Sequence, residues 1–283
     1  MQQRPLLEIT DLTVEFKRGR RAPFRAVDQV SLTIDTGETV GLVGESGSGK
    51  TTIGNALLGL VHPTGGTILF EDRDIATLSA SERRASSGRL QVVFQDPYSS
   101  LNPSRRIGQI IAEPLGVHTD LDKRARQRAV GDMLERVGLS ASDMARYPAA
   151  FSGGQRQRIA IARALITQPK LVVCDEPVSG LDLSAQAQVL NLLKDLQADM
   201  GLAMLFISHD LAVVRYISSR IAVLLSGKLV EAGSAGQITE HPQHAYTQRL
   251  LAASPAPDPA AQQAAREARK QLQAQYAGTV SAP

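Results

Sequence analysis

The stretch GESGSGKT, residues 44–51, sets three glycines before a lysine and a threonine at the spacing GxxxxGK[ST]. The apolar run TVGLV (39–43) precedes it and the helix-period segment TIGNALLGL follows, which makes it a turn between a buried strand and a helix. Gly44, Gly47 and Gly49 allow backbone angles and a close approach that a Cβ would block, so successive amides can point at phosphate oxygens. Ser46, Ser48 and Thr52 belong to the same anion-binding turn and helix start. Lys50 can reach the β and γ phosphates, and the Thr51 hydroxyl suits a Mg²⁺ ion. The chemistry these residues spell is the binding of a nucleoside triphosphate.

A second group of polar residues stands at the ends of other apolar runs. In LVVCDEP the run closes on Asp175, suited to Mg²⁺, and Glu176, which points elsewhere and can serve as general base to an attacking water. DEP alone also reads as a capping pair before Pro177. His209, after the run in LFISHDL, can bond a γ-phosphate oxygen or orient the water, or else cap the helix that follows. Gln95, in VVFQDP, can offer its amide oxygen to Mg²⁺ or water. FSGGQRQR (151–158) opens the helix-period run QRQRIAIARALITQ, so Ser152, Gly153, Gly154 and Gln155 form either an ordinary capped N-terminus or a second phosphate site.

The elements that must position these residues are legible as strand-length runs at 39–43, 90–94 (LQVVF), 170–174 (KLVVC), 203–207 (AMLFI) and 221–225 (IAVLL). Amphipathic segments such as SAQAQVLNLLKDLQADM separate them, which is the pattern of an α/β fold with a mostly parallel core sheet. EITDLTVEF and VSLTI alternate like antiparallel strands and point to an N-terminal β subdomain. Residues 96 to about 165 read as a helical subdomain. After residue 253 a proline-rich turn leads into an Ala, Gln and Arg segment with no apolar face, read as a mobile or partner-docked tail.

Composition narrows the function classes. With 283 residues and 43% hydrophobic content the chain can bury a full core. A net charge of +3 without a long basic block falls short of a nucleic-acid footprint. No apolar run approaches the roughly 18 residues of a membrane span, and MQQRPLLEIT is too polar for a signal peptide, so the expected location is cytoplasmic. The one cysteine, Cys174, sits in an apolar run and reads as a small buried hydrophobe.

Taken in order, these motifs resemble the ATP-binding cassette (ABC) ATPases, a branch of the P-loop NTPases. GESGSGKT stands as Walker A, Gln95 as the Q-loop, FSGGQ as the signature, LVVCDE as Walker B, SGLD (179–182) as the D-loop and His209 as the switch histidine. The resemblance covers residues 6–255 and implies a nucleotide-binding domain over about 1–255, with ATP and Mg²⁺ as cofactors. It also implies head-to-tail pairing with a second cassette, each ATP lying between one chain's Walker A and the other's signature. Phe151 replaces the family's usual leucine and Gly180 its commoner alanine. KRGRRAPFR interrupts the region where an aromatic should stack on adenine; Phe16 is the first choice and Phe24 the reserve.

QDPYSSLNP (95–103) and HPQHAYTQRLLAASPAPDP (241–259) are similar to the peptide and nickel importer subfamily. That implies a C-terminal extension over 240–283 and work as the ATPase subunit of an importer for dipeptides, oligopeptides, nickel or related small solutes. The implied partners are a like or different cassette, integral membrane permease chains docked through the helical subdomain and, indirectly, an extracytoplasmic solute-binding protein. The implied place is the cytoplasmic face of the plasma membrane, held peripherally. With one cysteine the chain lacks the cysteine cluster some members use for iron and sulfur, so no cluster is expected. The alternative is a soluble ABC ATPase of DNA repair or ribosome-associated work. Such proteins usually carry a second cassette, a coiled-coil insertion or a zinc module, and none of these is read here.

Overall fold

A computed structural model describes residues 4–19 and 21–253; the tail from residue 254 onward lies outside the described residues. The chain opens with β1 (Leu7–Arg18) and β2 (Arg21–Ile34), one long antiparallel hairpin in which Phe16 pairs with Phe24 and Arg18 with Arg21. KRGRRAPFR therefore does not break the β region; it is the tip of the hairpin. Gly19, at φ 59°, adopts the left-handed conformation that a two-residue loop demands, so both strands continue into residues that looked like an interruption.

β3 (Thr39–Val43) leads through the phosphate loop into α1 (Lys50–Leu57). Then follow β4 (Gly65–Phe70), β5 (Arg73–Asp74), α2 (Ala80–Ser86) and β6 (Leu90–Val93). β4 and β5 complete a four-stranded antiparallel sheet in the order β2-β1-β4-β5. From there to residue 165 the elements are helical: α3 (Pro97–Ser100), α4 (Ile107–His118), α5 (Lys123–Arg136), two 3-10 turns and α6 (Gly153–Leu165). β7 (Leu171–Asp175), α7 (Leu183–Met200), β8 (Ala203–Ser208), α8 (Leu211–Ile217), β9 (Arg220–Leu225), β10 (Lys228–Ser234), α9 (Ala235–Glu240) and α10 (Ala245–Ala253) close the described chain.

The second sheet has six strands in the order β10-β9-β3-β8-β7-β6. Five run parallel and β10 returns antiparallel along β9. The sequence pattern does not announce β4, β5 and β10: β4 (GGTILF) opens on two glycines, β5 has two residues, and β10 (KLVEAGS) mixes charge and glycine, as an edge strand can.

The parallel strands are apolar throughout because both faces are covered, and their period of two sorts the side chains between two cores. Leu42, Val173, Leu205, Ile207 and Leu224 pack with the antiparallel sheet and α1. Val43, Cys174, Phe206 and Val223 pack with the helices of the opposite face. α7 shows how the helices are bounded. The Asp182 side chain accepts from the Ala185 amide at 2.9 Å, Val189, Leu190, Leu193 and Leu196 form the buried stripe, and Gly201 ends it at φ 60°.

Candidate active site

Five strands run parallel, so their carboxyl ends share one edge of the sheet, where ligands of open α/β sheets bind. Val43 is level with Ser208, and Asp175 with Ile207. The phosphate loop, Asp175 with Glu176, and His209 thus emerge side by side. β6 stops at Val93, one residue earlier than read from LQVVF, because Phe94 is already exposed on the way to Gln95.

A cleft of about 710 Å³ occupies this edge. Ser46, Gly47, Gly49, Lys50, Thr51 and Thr52 line one part of it, with Gln95, Glu176 and His209 beside them. Phe16, Phe24 and Ala26 of the hairpin line it too, so both candidate aromatics reach it. Gly44 and Ser48 belong to the loop without lining the cleft, and Ser152, Gly153, Gly154 and Gln155 are absent from its walls. Glu45, Ala26 and Leu250 line it without having been singled out in the sequence. Only the strand-to-turn position of Glu45 gave any signal.

Lys50 is 5% exposed, and its ammonium donates to the carbonyls of Gly44 and Glu45, each at 2.8 Å. Two of its three donors are used there, leaving one for an anion. Burial pulls its pKa down, against the charges of Glu176, Asp175 and Glu45. The glycines serve a purpose the sequence did not disclose. A Cβ on Gly49 would stand 2.4 Å from the Ala26 carbonyl oxygen, and one on Gly44 2.2 Å from that of Leu224. At these two positions glycine lets the loop sit down on the backbones of β2 and β9.

The Thr51 hydroxyl donates to Asp175 Oδ1 at 3.2 Å. Burial pushes the Asp175 carboxyl up, with help from the Glu176 charge, while the Thr51 bond and Lys50 oppose the shift. A hydroxyl beside a carboxylate, with the Gln95 amide on the same cleft, is a set of hard oxygen donors of the kind Mg²⁺ takes alongside phosphate. The residues present therefore fit the ion.

Glu176 takes φ 48°, a left-handed conformation costing a non-glycine residue on the order of 1 kcal/mol or more. The bend parts it from Asp175, and its Oε2 lies 3.2 Å from His209 Nδ1. Glu176 is not a cap: α7 is capped by Asp182. Nor does His209 cap α8; Asp210 does, accepting from the Ala212 and Val213 amides.

Ser152 does cap α6. Its hydroxyl accepts from the Gln155 amide at 3.3 Å, and the Gln155 side chain accepts from the Ser152 amide at 3.0 Å. Cys174 is fully buried and its thiol is pushed up to about 12 by burial and by Asp175.

The sequence pattern of the ABC transporter family matches residues 27–179. A Brucella ovis protein whose name ties it to peptide import is 51% identical over 259 residues, spanning 92% of this chain and 81% of its own. The chain belongs to the ABC transporter family. The dipeptide transport ATP-binding protein DppF of Lactococcus lactis is 49% identical to this ABC protein over 261 residues, 91% of this chain and 84% of its own. Among solved structures, the dimeric post-hydrolysis state of the ATP-binding cassette MJ0796 bound to ADP and Pi aligns at a TM-score of 0.74 and 28% identity, covering 81% and 98% of the two chains. The CbiO1 protein of Clostridium perfringens aligns at 0.76 and 25%, covering 84% and 92%. The fold is that of an ABC cassette, and the chain is an ABC ATPase.

Proposed function

We propose that this ABC ATPase energises import of dipeptides or oligopeptides, or of nickel or a related small solute, from the cytoplasmic face of the plasma membrane. The transport role rests on the relatives' names, and the observation that carries a nucleotide site shared between two cassettes is the split between the motifs. Lys50, Thr51, Gln95, Glu176 and His209 share one cleft, while Ser152, Gly153 and Gly154 lie outside it. A signature that does not face its own nucleotide fits a site completed by a second cassette, identical or different, presented head to tail. The names of the relatives support peptides as cargo.

In this reading Phe16 or Phe24 stacks on the base and the loop amides with Lys50 hold the phosphates. Thr51, Gln95 and Asp175 hold Mg²⁺, which when bound neutralises phosphate charge. Glu176 takes the proton of the attacking water, and His209, 3.2 Å away, orients it and the γ-phosphate. Ser152 and the Gly153 and Gly154 amides serve the partner's nucleotide, so hydrolysis removes what holds the pair together.

The domain reading follows: a nucleotide-binding domain over about 1–255 with a helical subdomain at 96–165, and a C-terminal extension over 240–283. The helical subdomain is the proposed contact for separate permease chains, which an extracytoplasmic binding protein loads. In support, no helix among the described residues is long and apolar enough to cross a membrane. Tyr98 is 60% exposed at the base of this segment. The Arg156 guanidinium lies 4.3 Å from its ring centroid, and a Cβ on Gly153 would stand 3.7 Å from its hydroxyl. A partner docked at Tyr98 would thus press on the signature helix.

Reconstitution of this chain with its permease and partner cassette in proteoliposomes tests the proposal. Peptide uptake should require ATP and external binding protein, and should vanish with Glu176→Gln. ATP hydrolysis with no uptake of any peptide would remove peptides as cargo.

A further inference from the structure

The last described helix lies against the phosphate loop near the start of the chain. Tyr246, 2% exposed, accepts a hydrogen bond from the Glu45 amide at 2.8 Å. One turn along α10, Leu250 lines the cleft together with Phe16, Phe24 and Ala26. The spacing of four puts Tyr246 and Leu250 on one face of the helix.

The start of α10 is fastened as well. Glu231 of β10 accepts from the amides of Gln243 at 2.7 Å and His244 at 3.1 Å, and His244 Nδ1 accepts from the Tyr246 amide at 3.1 Å. β10 pairs with β9 and β9 with β3, the strand that ends in the phosphate loop. Helix and loop are therefore joined through the sheet and again through the Tyr246 hydroxyl. Burial raises the Tyr246 pKa, opposed by the bond from the Glu45 amide and helped by the Glu45 charge.

We propose that α10 is a wall of the nucleotide site, in which Leu250 contacts the base beside the hairpin aromatics and Tyr246 positions the Glu45 peptide so that the loop amides receive phosphate. The inference rests on the ATPase reading. Its chemistry follows the lining of the cleft, which combines the apolar side chains Phe16, Phe24, Ala26 and Leu250 with the polar Lys50, Thr51 and Gln95. A purine fits the first group and a polyphosphate the second.

The test measures displacement of a fluorescent ATP analogue from the full chain by ATP and by inorganic tripolyphosphate, which has no base. Leu250→Ala should weaken ATP roughly 3- to 10-fold and leave tripolyphosphate unchanged, with Leu250→Met restoring ATP. Tyr246→Phe should weaken both roughly 2- to 10-fold, the range of one neutral hydrogen bond, and speed amide exchange at Glu45 in the nucleotide-free chain. Equal loss of both probes in Leu250→Ala would overturn the base contact. Unchanged exchange and affinities in Tyr246→Phe would overturn the positioning role, leaving an ordinary core tyrosine. A parent chain that bound neither probe would overturn the ATPase reading and this inference with it, whereas parent binding with unmoved variants overturns this inference alone.

Discussion

His209 Nδ1 lies 3.2 Å from Glu176 Oε2, joining the turn after β8 to the turn after β7 across one edge of the sheet. Glu176 stands at a left-handed bend, φ 48°, one residue past Asp175, whose carboxylate accepts from the Thr51 hydroxyl. Two adjacent acids thereby meet two different partners.

Glu176→Gln should keep ATP binding, because the phosphate loop is untouched, and slow hydrolysis by roughly 10²- to 10⁴-fold. ATP-loaded dimers should accumulate. Single-turnover hydrolysis in the reconstituted complex checks this, and a parent rate would remove Glu176 as the base. His209→Ala should also slow turnover while leaving ATP affinity near the parent value.

Asp175 bears on stability. Its folded pKa lies above its unfolded value, so its favourable contribution is present below the unfolded pKa and lost as pH rises through the folded one. In nucleotide-free protein, Asp175→Asn keeps an acceptor for Thr51 and removes a half-buried charge. Its Tm at pH 7 should rise by about 1–4 °C, given roughly 2–4 °C per kcal/mol at this size, while Mg²⁺-dependent hydrolysis is lost. A variant that melts well below the parent at every pH would contradict this.

Because Ser152 and Lys50 lie on different surfaces, Lys50→Ala and Ser152→Arg should each be inactive as homodimers. Mixing them leaves one whole site in the mixed pair, and activity should partly return. If the natural partner is a different cassette, the same pair of variants is placed in that heterodimer. Full ATPase activity from a strict monomer, by light scattering at the assay concentration, would sink the shared site.

A negative charge introduced at Tyr98, as in Tyr98→Glu, should lower recovery of the chain with its membrane complex and leave ATP affinity unchanged. Equal recovery would exclude this surface as the docking point.

Cys174 provides a readout of unfolding. With its thiol at about 12, the thiolate share at pH 8 is on the order of 10⁻⁴, and the sulfur is fully buried. Thiol reagent should label the native chain only at its opening rate, and denatured chain at once. Fast labelling of native protein would show that the strand β7 opens locally.

The sequence by itself determined the parallel strands, since runs such as LVVC and AMLFI are apolar at every position only when both faces of a sheet are covered. It also made the phosphate-loop and carboxylate motifs legible, because GxxxxGK[ST] and DE after an apolar run are local patterns that their own strands and turns position. Capping was half legible: Ser152 could be read as a cap, but His209 and Asp210 are neighbours, and only the folded backbone shows that Asp210 caps while His209 faces Glu176. The hairpin tip is hidden in the sequence because a run of basic residues covers a turn whose mark is one glycine, Gly19, at φ 59°. The tertiary structure alone decided the contacts between distant segments. Gly44 and Gly49 are required by the carbonyls of Leu224 and Ala26, and Glu45 meets Tyr246 across 201 positions. No local pattern announces such pairs, because they exist only where the order of strands in the sheet carries one segment against another.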